Sequence, residues 1–123
     1  MTIRGRAATA EDVQRFYPGY VTSFRAWVIE LNGEAKGIIG VALLSPIACM
    51  FSKFEEALRP YLKHPAVLRL IKKAEAAVKA SRVPVWAVAQ NDEPTAPTVL
   101  SRLGFRHIGE LNGDVIFAWV PGE

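Results

Sequence analysis

Several stretches of this sequence carry side chains with usable chemistry. Lys63, His64 and Arg69 set two permanent cations and an imidazole around Pro65, a residue favoured in the first turn of a helix. A helix start offers unpaired amides and the positive end of the helix dipole. Lys63, His64, Arg69 and the amides of Ala66 and Val67 could therefore hold an anion, although a histidine beside a helix start is more often a cap. Cys49 is the single thiol. Nothing near it in sequence would lower its pKa, so a core role outweighs a nucleophilic one. Glu30 could act as a general base, yet a carboxylate just before a hairpin turn is usually solvated. Gln90 to Pro94, with Asn91 inside it, lies between an apolar run and a helix. In mixed α/β folds, ligands sit where a strand runs out into a helix start. No Cys/His cluster has metal-ligand spacing.

These residues need a frame, and the patterning supplies one. Thr2 to Ala7 reads as an edge strand, followed by a helix with Thr9 as N-cap and Glu11 and Asp12 in its first turn. Pro18 and Gly19 forbid continuation beyond about Phe16. Phe24 to Leu31 and Glu34 to Leu44 form a hairpin about Asn32-Gly33, with Gly37 and Gly40 marking bends or close backbone approach. Pro46 to Phe51 is a fourth strand, apolar on both faces and so central. Ser52 to Glu55 fits a capping box that opens a short helix ending at Pro60. The helix after His64-Pro65 has Val67, Leu70, Ile71, Ala74 and Val78 as its apolar stripe, and a basic opposite face of the kind that is usually just solvated.

Val83 to Ala89 reads as a strand buried on both faces. A short helix follows it and stops at Leu103-Gly104-Phe105, where glycine can take the left-handed cap. Arg106 to Leu111 and Asp114 to Val120 pair about Asn112-Gly113. The three tryptophans are most simply core anchors. The order is β-α-β-β-β-α-α-β-α-β-β, in which the helical crossover makes the fifth strand parallel to its neighbour.

The chain has 123 residues, half of them hydrophobic and 22% charged, which is ordinary for one soluble domain spanning 1–123. The start has no apolar core of a secretory signal, and Gly37 to Phe51 is too short and too interrupted for a membrane span. A lone cysteine fits a reducing, cytoplasmic setting. A net charge of +3 without dense basic clusters argues against a nucleic-acid partner.

The element order resembles the GCN5-related N-acetyltransferase (GNAT) superfamily over nearly the whole chain. The resemblance is carried by Ile3-Arg4 with Ala7 to Asp12, by Gly37-Ile38-Ile39-Gly40, and by Ala96 to Phe105 ending in Leu-Gly-Phe. It implies an α/β (α+β) acyl-CoA N-acyltransferase fold: a mixed, mostly antiparallel sheet flanked by helices and splayed into a V between the fourth and fifth strands. Acetyl-CoA would enter that gap, its pantetheine pairing with the fourth strand around Cys49, Met50 and Phe51. Its pyrophosphate would rest on amides at the start of the following helix. The implied reaction is attack of a small-molecule or protein amine on the thioester, with a base and an acid moving protons.

Two departures stand out. The family's glycine-rich pyrophosphate loop is replaced by Tyr61 to Arg69, which contains no glycine. The helix position of the usual tyrosine acid is Leu100; Ser101 is adjacent but points about 100° away on a helix. Within the superfamily, His-Pro at the helix start and the short helix before it look like the GNAT-like proteins of tailed bacteriophages. That likeness implies phage virion proteins as partners, or a place in the phage particle. A homodimer is a further expectation from the family, and a structural protein without catalysis is the alternative function.

Overall fold

The computed structural model describes residues 1–19, 23–43, 46–89 and 96–122. Its seven strands are β1 (Ile3–Ala7), β2 (Phe24–Leu31), β3 (Glu34–Leu43), β4 (Ala48–Phe54), β5 (Val85–Ala89), β6 (Arg106–Leu111) and β7 (Asp114–Trp119). They form one sheet in the order β1-β2-β3-β4-β5-β7-β6. Every neighbouring pair is antiparallel except β4 and β5, which are parallel. The helices are α1 (Ala10–Phe16), α2 (Pro65–Lys79) and α3 (Ala96–Arg102), with a 3-10 helix over Glu56–Tyr61. No helix among the described residues is long and apolar enough to cross a membrane.

Local chemistry makes the turns. Asn32 (φ 53°) and Gly33 (φ 84°) join β2 to β3, and Asn112 (φ 53°) and Gly113 (φ 86°) join β6 to β7. These are the positive φ values that a two-residue hairpin loop requires, and asparagine and glycine tolerate them best. Gly40 is needed for a different reason: a Cβ there would stand 2.5 Å from the Arg25 carbonyl oxygen on the paired strand.

The core lies on both sides of the sheet. Under α2 and α3, Val67, Leu70, Ala74 and Val78 pack with Ile39, Met50, Val85, Phe117, Leu100 of α3 and Leu103 just after it. On the other face, Val13 and Phe16 of α1 pack with Ala26, Val28, Ala35 and Ile38. This second cluster covers β2, β3 and, through Phe51, part of β4, and does not reach β5. Consequently β5 is buried on one face alone: Val85 and Ala87 are enclosed, whereas Trp86 and Val88 are 39% and 50% exposed. The expectation of burial on both faces is thus corrected, and so is the core role for Trp86. Trp27 and Trp119 do pack against the main cluster.

A second correction concerns the end of β4. Ser52, Lys53 and Phe54 do not open a helix; they continue the strand opposite Ile39, Ile38 and Gly37. The ten-residue β3 offers a full ladder, which satisfies more backbone groups than a one-turn helix could. The 3-10 helix begins later, after Glu55, whose side chain makes no cap bond, and it runs through Pro60 rather than stopping there. Glu55 instead pairs with Lys36 (3.7 Å) and Arg15 (3.6 Å).

The N-terminal end is held by one guanidinium. Arg6 on β1 donates to both oxygens of Asp12 on α1 (2.6 and 3.0 Å) and, through Nε, to Glu30 on β2 (3.0 Å). Asp12 also accepts from the Thr9 amide (2.8 Å), while the Thr9 hydroxyl accepts from the Asp12 amide (3.2 Å), completing a capping box. The Arg6 guanidinium holds the Asp12 carboxyl well below the usual carboxylate range. A depressed folded-state pKa stabilises the fold above the unfolded value of about 4 and loses that contribution as pH falls further. Asp12→Asn should therefore cost about 1–3 kcal/mol at neutral pH. Urea midpoints measured from pH 7 down to pH 3 should fall less steeply in the variant than in the parent.

Candidate functional site

The joint between the two halves of the sheet is short. Only Ala48–Val85, Cys49–Trp86 and Met50–Ala87 pair across β4 and β5, with Ala48 N–H also donating to the Pro84 carbonyl at 2.9 Å. Beyond Met50, β4 continues for four residues paired to β3 alone. Beyond Ala87, β5 continues for two residues paired to β7 alone. The strands thus part at Met50 and Ala87, leaving on β4 an open backbone edge that an extended ligand could extend as a further strand. The helices on either side of this opening are α2, packed over β1 to β3, and α3, packed against β5.

Cys49 and Phe51 alternate with the buried Met50 and so face the α1 side of the sheet. There Tyr17, at the end of α1, meets Phe51 edge-on (centroids 5.3 Å apart, planes at 82°). Lys53 Nζ lies 5.8 Å from the Tyr17 ring centroid and donates to the Phe16 carbonyl at 3.5 Å. Burial, and secondarily the nearby Cys49, push the Tyr17 hydroxyl up to about 12. Burial likewise raises the Cys49 thiol, whose Sγ lies 3.7 Å from the Met50 carbonyl oxygen. The sequence gives no warning of Tyr17. Alternation alone could align Cys49, Phe51 and Lys53, but nothing local brings residue 17 to them.

At the start of α2, His64 is the N-cap, and its Nδ1 accepts from the Ala66 amide at 3.1 Å. The amides of Val67 and Leu68 both donate to the His64 carbonyl at 3.0 Å. The first-turn amides expected to meet an anion therefore already have partners within the helix. Lys63 and His64 are exposed, whereas the side chains of Ala66 and Val67 are buried.

The remaining candidates are dispersed. Arg69 lines a cleft with Arg4 and Lys73 against β1, three strands from β4. Glu30 is only 18% exposed and is engaged by Arg6, on β2 beside the β1 edge. Ser101 is exposed on α3, while Leu100 is buried in the core. The end of α3 follows the Schellman pattern, with Gly104 at φ 91°. Its amide donates to Ser101 O (3.1 Å) and that of Phe105 to Leu100 O (3.0 Å). Asn91 lies outside the described residues.

No family model matches the chain, and no curated protein matches it. Solved structures do. The PaiA N-acetyltransferase of Thermoplasma acidophilum, solved with coenzyme A, superposes with a TM-score of 0.65 at 12% identity, covering 98% of this chain and 99% of that one. The ribosomal-protein-S18-alanine N-acetyltransferase of Escherichia coli gives 0.63 at 14% identity, over 97% and 94% of the two chains. A GNAT-family acetyltransferase of Streptococcus pneumoniae gives 0.64 at 13% identity, over 97% and 99%. At these identities the likeness is one of architecture. The chain has the acyl-CoA N-acyltransferase fold of the GNAT superfamily, with the parallel β4–β5 pair where that fold requires it.

Proposed function

We propose that the chain binds acetyl-CoA in the opening between β4 and β5 and transfers the acetyl group to an amine. The observation that carries this reading is the parallel ladder that ends at Met50 and Ala87 and leaves the edge of β4 unpaired. Phe51, the first β4 residue beyond the ladder, would hold the pantetheine arm through its backbone, whereas Cys49 and Met50, already paired with both β3 and β5, would only border it. Lys63 and His64 would meet the diphosphate, with the His64 ring giving up the Ala66 amide as the anion arrives. Acetyl-CoA supplies a thioester: the new C–N bond forms as the C–S bond breaks, the attacking amine loses one proton to solvent, and the departing sulfur takes one. Tyr17 suits that proton, because its hydroxyl stays protonated far above neutral pH beside Cys49 and Phe51. Arg69 and Glu30, turned to the β1 edge, have no part in this reading.

A second reading has its own support. Leu100 is buried and apolar, and the α2 amides are already capped within their own helix. Both features suit a protein that keeps the fold without turnover, as a structural or binding component such as the phage-like resemblance implies.

Calorimetry with acetyl-CoA and a thiol-release assay over a panel of amines separate the two. The acyltransferase reading expects saturable binding at micromolar acetyl-CoA and amine-dependent thiol release; no heat at about 1 mM ligand would sink it. Binding without release on any amine would favour the second reading. Tyr17→Phe should lower turnover by about a hundredfold or more while leaving acetyl-CoA affinity within about twofold. The Cys49 thiol should react with iodoacetamide more slowly than free cysteine, with a rate still climbing at pH values where the free thiol has levelled off. Bound acetyl-CoA should slow it further.

A further inference from the structure

At the edge of the sheet away from the β4–β5 opening, β1 and α2 flank a half-open cleft of about 240 Å³. Three of its lining residues are cations: Arg4 from the strand, and Arg69 and Lys73 from the helix. Its inner wall is apolar, formed in part by the buried Ala66 and Leu70. Gly5 lets Leu70 lie against the strand, because a Cβ there would stand 2.9 Å from the Leu70 side chain, which would have to shift.

The charges that line this cleft are all positive, with no carboxylate among its lining residues. Arg6, Arg15, Lys36 and Lys79 each lie within 4 Å of a carboxylate. Arg4, Arg69 and Lys73 form no ion pair or hydrogen bond among the described residues. Arg69 and Lys73 are also an i,i+4 pair of like charge, which weakens a helix, and Arg4 adds a third positive charge across the cleft. A local conflict of this kind, lined up on a concavity, is relieved by an anion that all three cations can share. Two guanidinium forks and one ammonium suit the several oxygens and compact charge of a phosphate. The apolar wall suits a small organic group attached to it.

We propose that this cleft is a binding site for a small phosphate-bearing ligand, separate from the β4–β5 opening. The site stands on β1 and the exposed side of α2, so it does not depend on acetyl transfer. It is also distinct from the α2 amides, which His64 caps.

Thermal melts at constant ionic strength test this with inorganic phosphate, pyrophosphate and glycerol 3-phosphate as probes and chloride as the control. At least one phosphate probe should raise the melting temperature saturably, as a ligand that binds only the folded state must. A response to glycerol 3-phosphate but not to inorganic phosphate would assign the site to an organic phosphate, and the converse to the free ion. The double variant R69Q/K73Q, with its helix repulsion removed, should melt at or above the parent and bind at least about tenfold more weakly. R4Q, on the opposite wall, should weaken binding without touching the helix. An undiminished response in both variants, an equal response to chloride, or stabilisation by an oligonucleotide alone would overturn the proposal. Displacement of the probe by coenzyme A would assign the cleft to that cofactor's own phosphates and overturn the separate site.

Discussion

The three-pair parallel ladder between β4 and β5 is the constraint on which the architecture depends. It is the backbone seam joining a four-stranded antiparallel half to a three-stranded one. Extending it would close the opening along β4. Shortening it would leave Met50 and Ala87 without the neighbours that tie the core under α2 to that under α3. A parallel pair needs a long crossover, and here the 3-10 helix and α2 supply it. The same crossover places α2 on one side of the opening and α3 on the other. The site and the topology are thus one decision.

Around that seam the protein distributes its polar groups with little waste. No polar or charged residue is fully buried among the described residues. The most enclosed carboxylate of an ion pair, on Asp12, answers both a guanidinium and a helix start. Arg6 thereby fixes β1, α1 and β2 together and takes up Glu30 as well. The α2 start is similarly self-sufficient, since His64 caps it with both its ring and its carbonyl. An anion approaching this helix must displace an existing partner, which is the physical content of the missing glycine-rich loop. Arg4, Arg69 and Lys73 stand instead along β1 and the neighbouring side of α2.

Much of the frame was legible in the residues. Both Asn-Gly loops, the Thr9 cap, the α2 stripe and the Gly104 stop depend on contacts within a turn or on side-chain periodicity, and each is found as read. The errors have one source. Ser52 to Glu55 carries a sound helix-start signal, but β3 is long enough to pair with those residues as strand. Val83 to Ala89 has the composition of a strand buried on both faces, yet α1 covers only the other half of the sheet. In both cases a distant segment outweighed a weak local preference.

The division is sharper for the site. The sequence by itself determined the element order, the turns and caps, and the absence of both a glycine-rich loop and a hydroxyl at position 100, because these are properties of neighbouring residues. Tertiary structure alone decided that β4 parts from β5 after Met50, and that Tyr17 lies on Phe51 beside Cys49. It also decided that Glu30 belongs to Arg6, and that Arg69 looks toward Arg4 rather than toward the opening. Each of these joins residues far apart in the chain. Such contacts are set by which strands become neighbours and how far their ladders run, and no spacing along the chain encodes that.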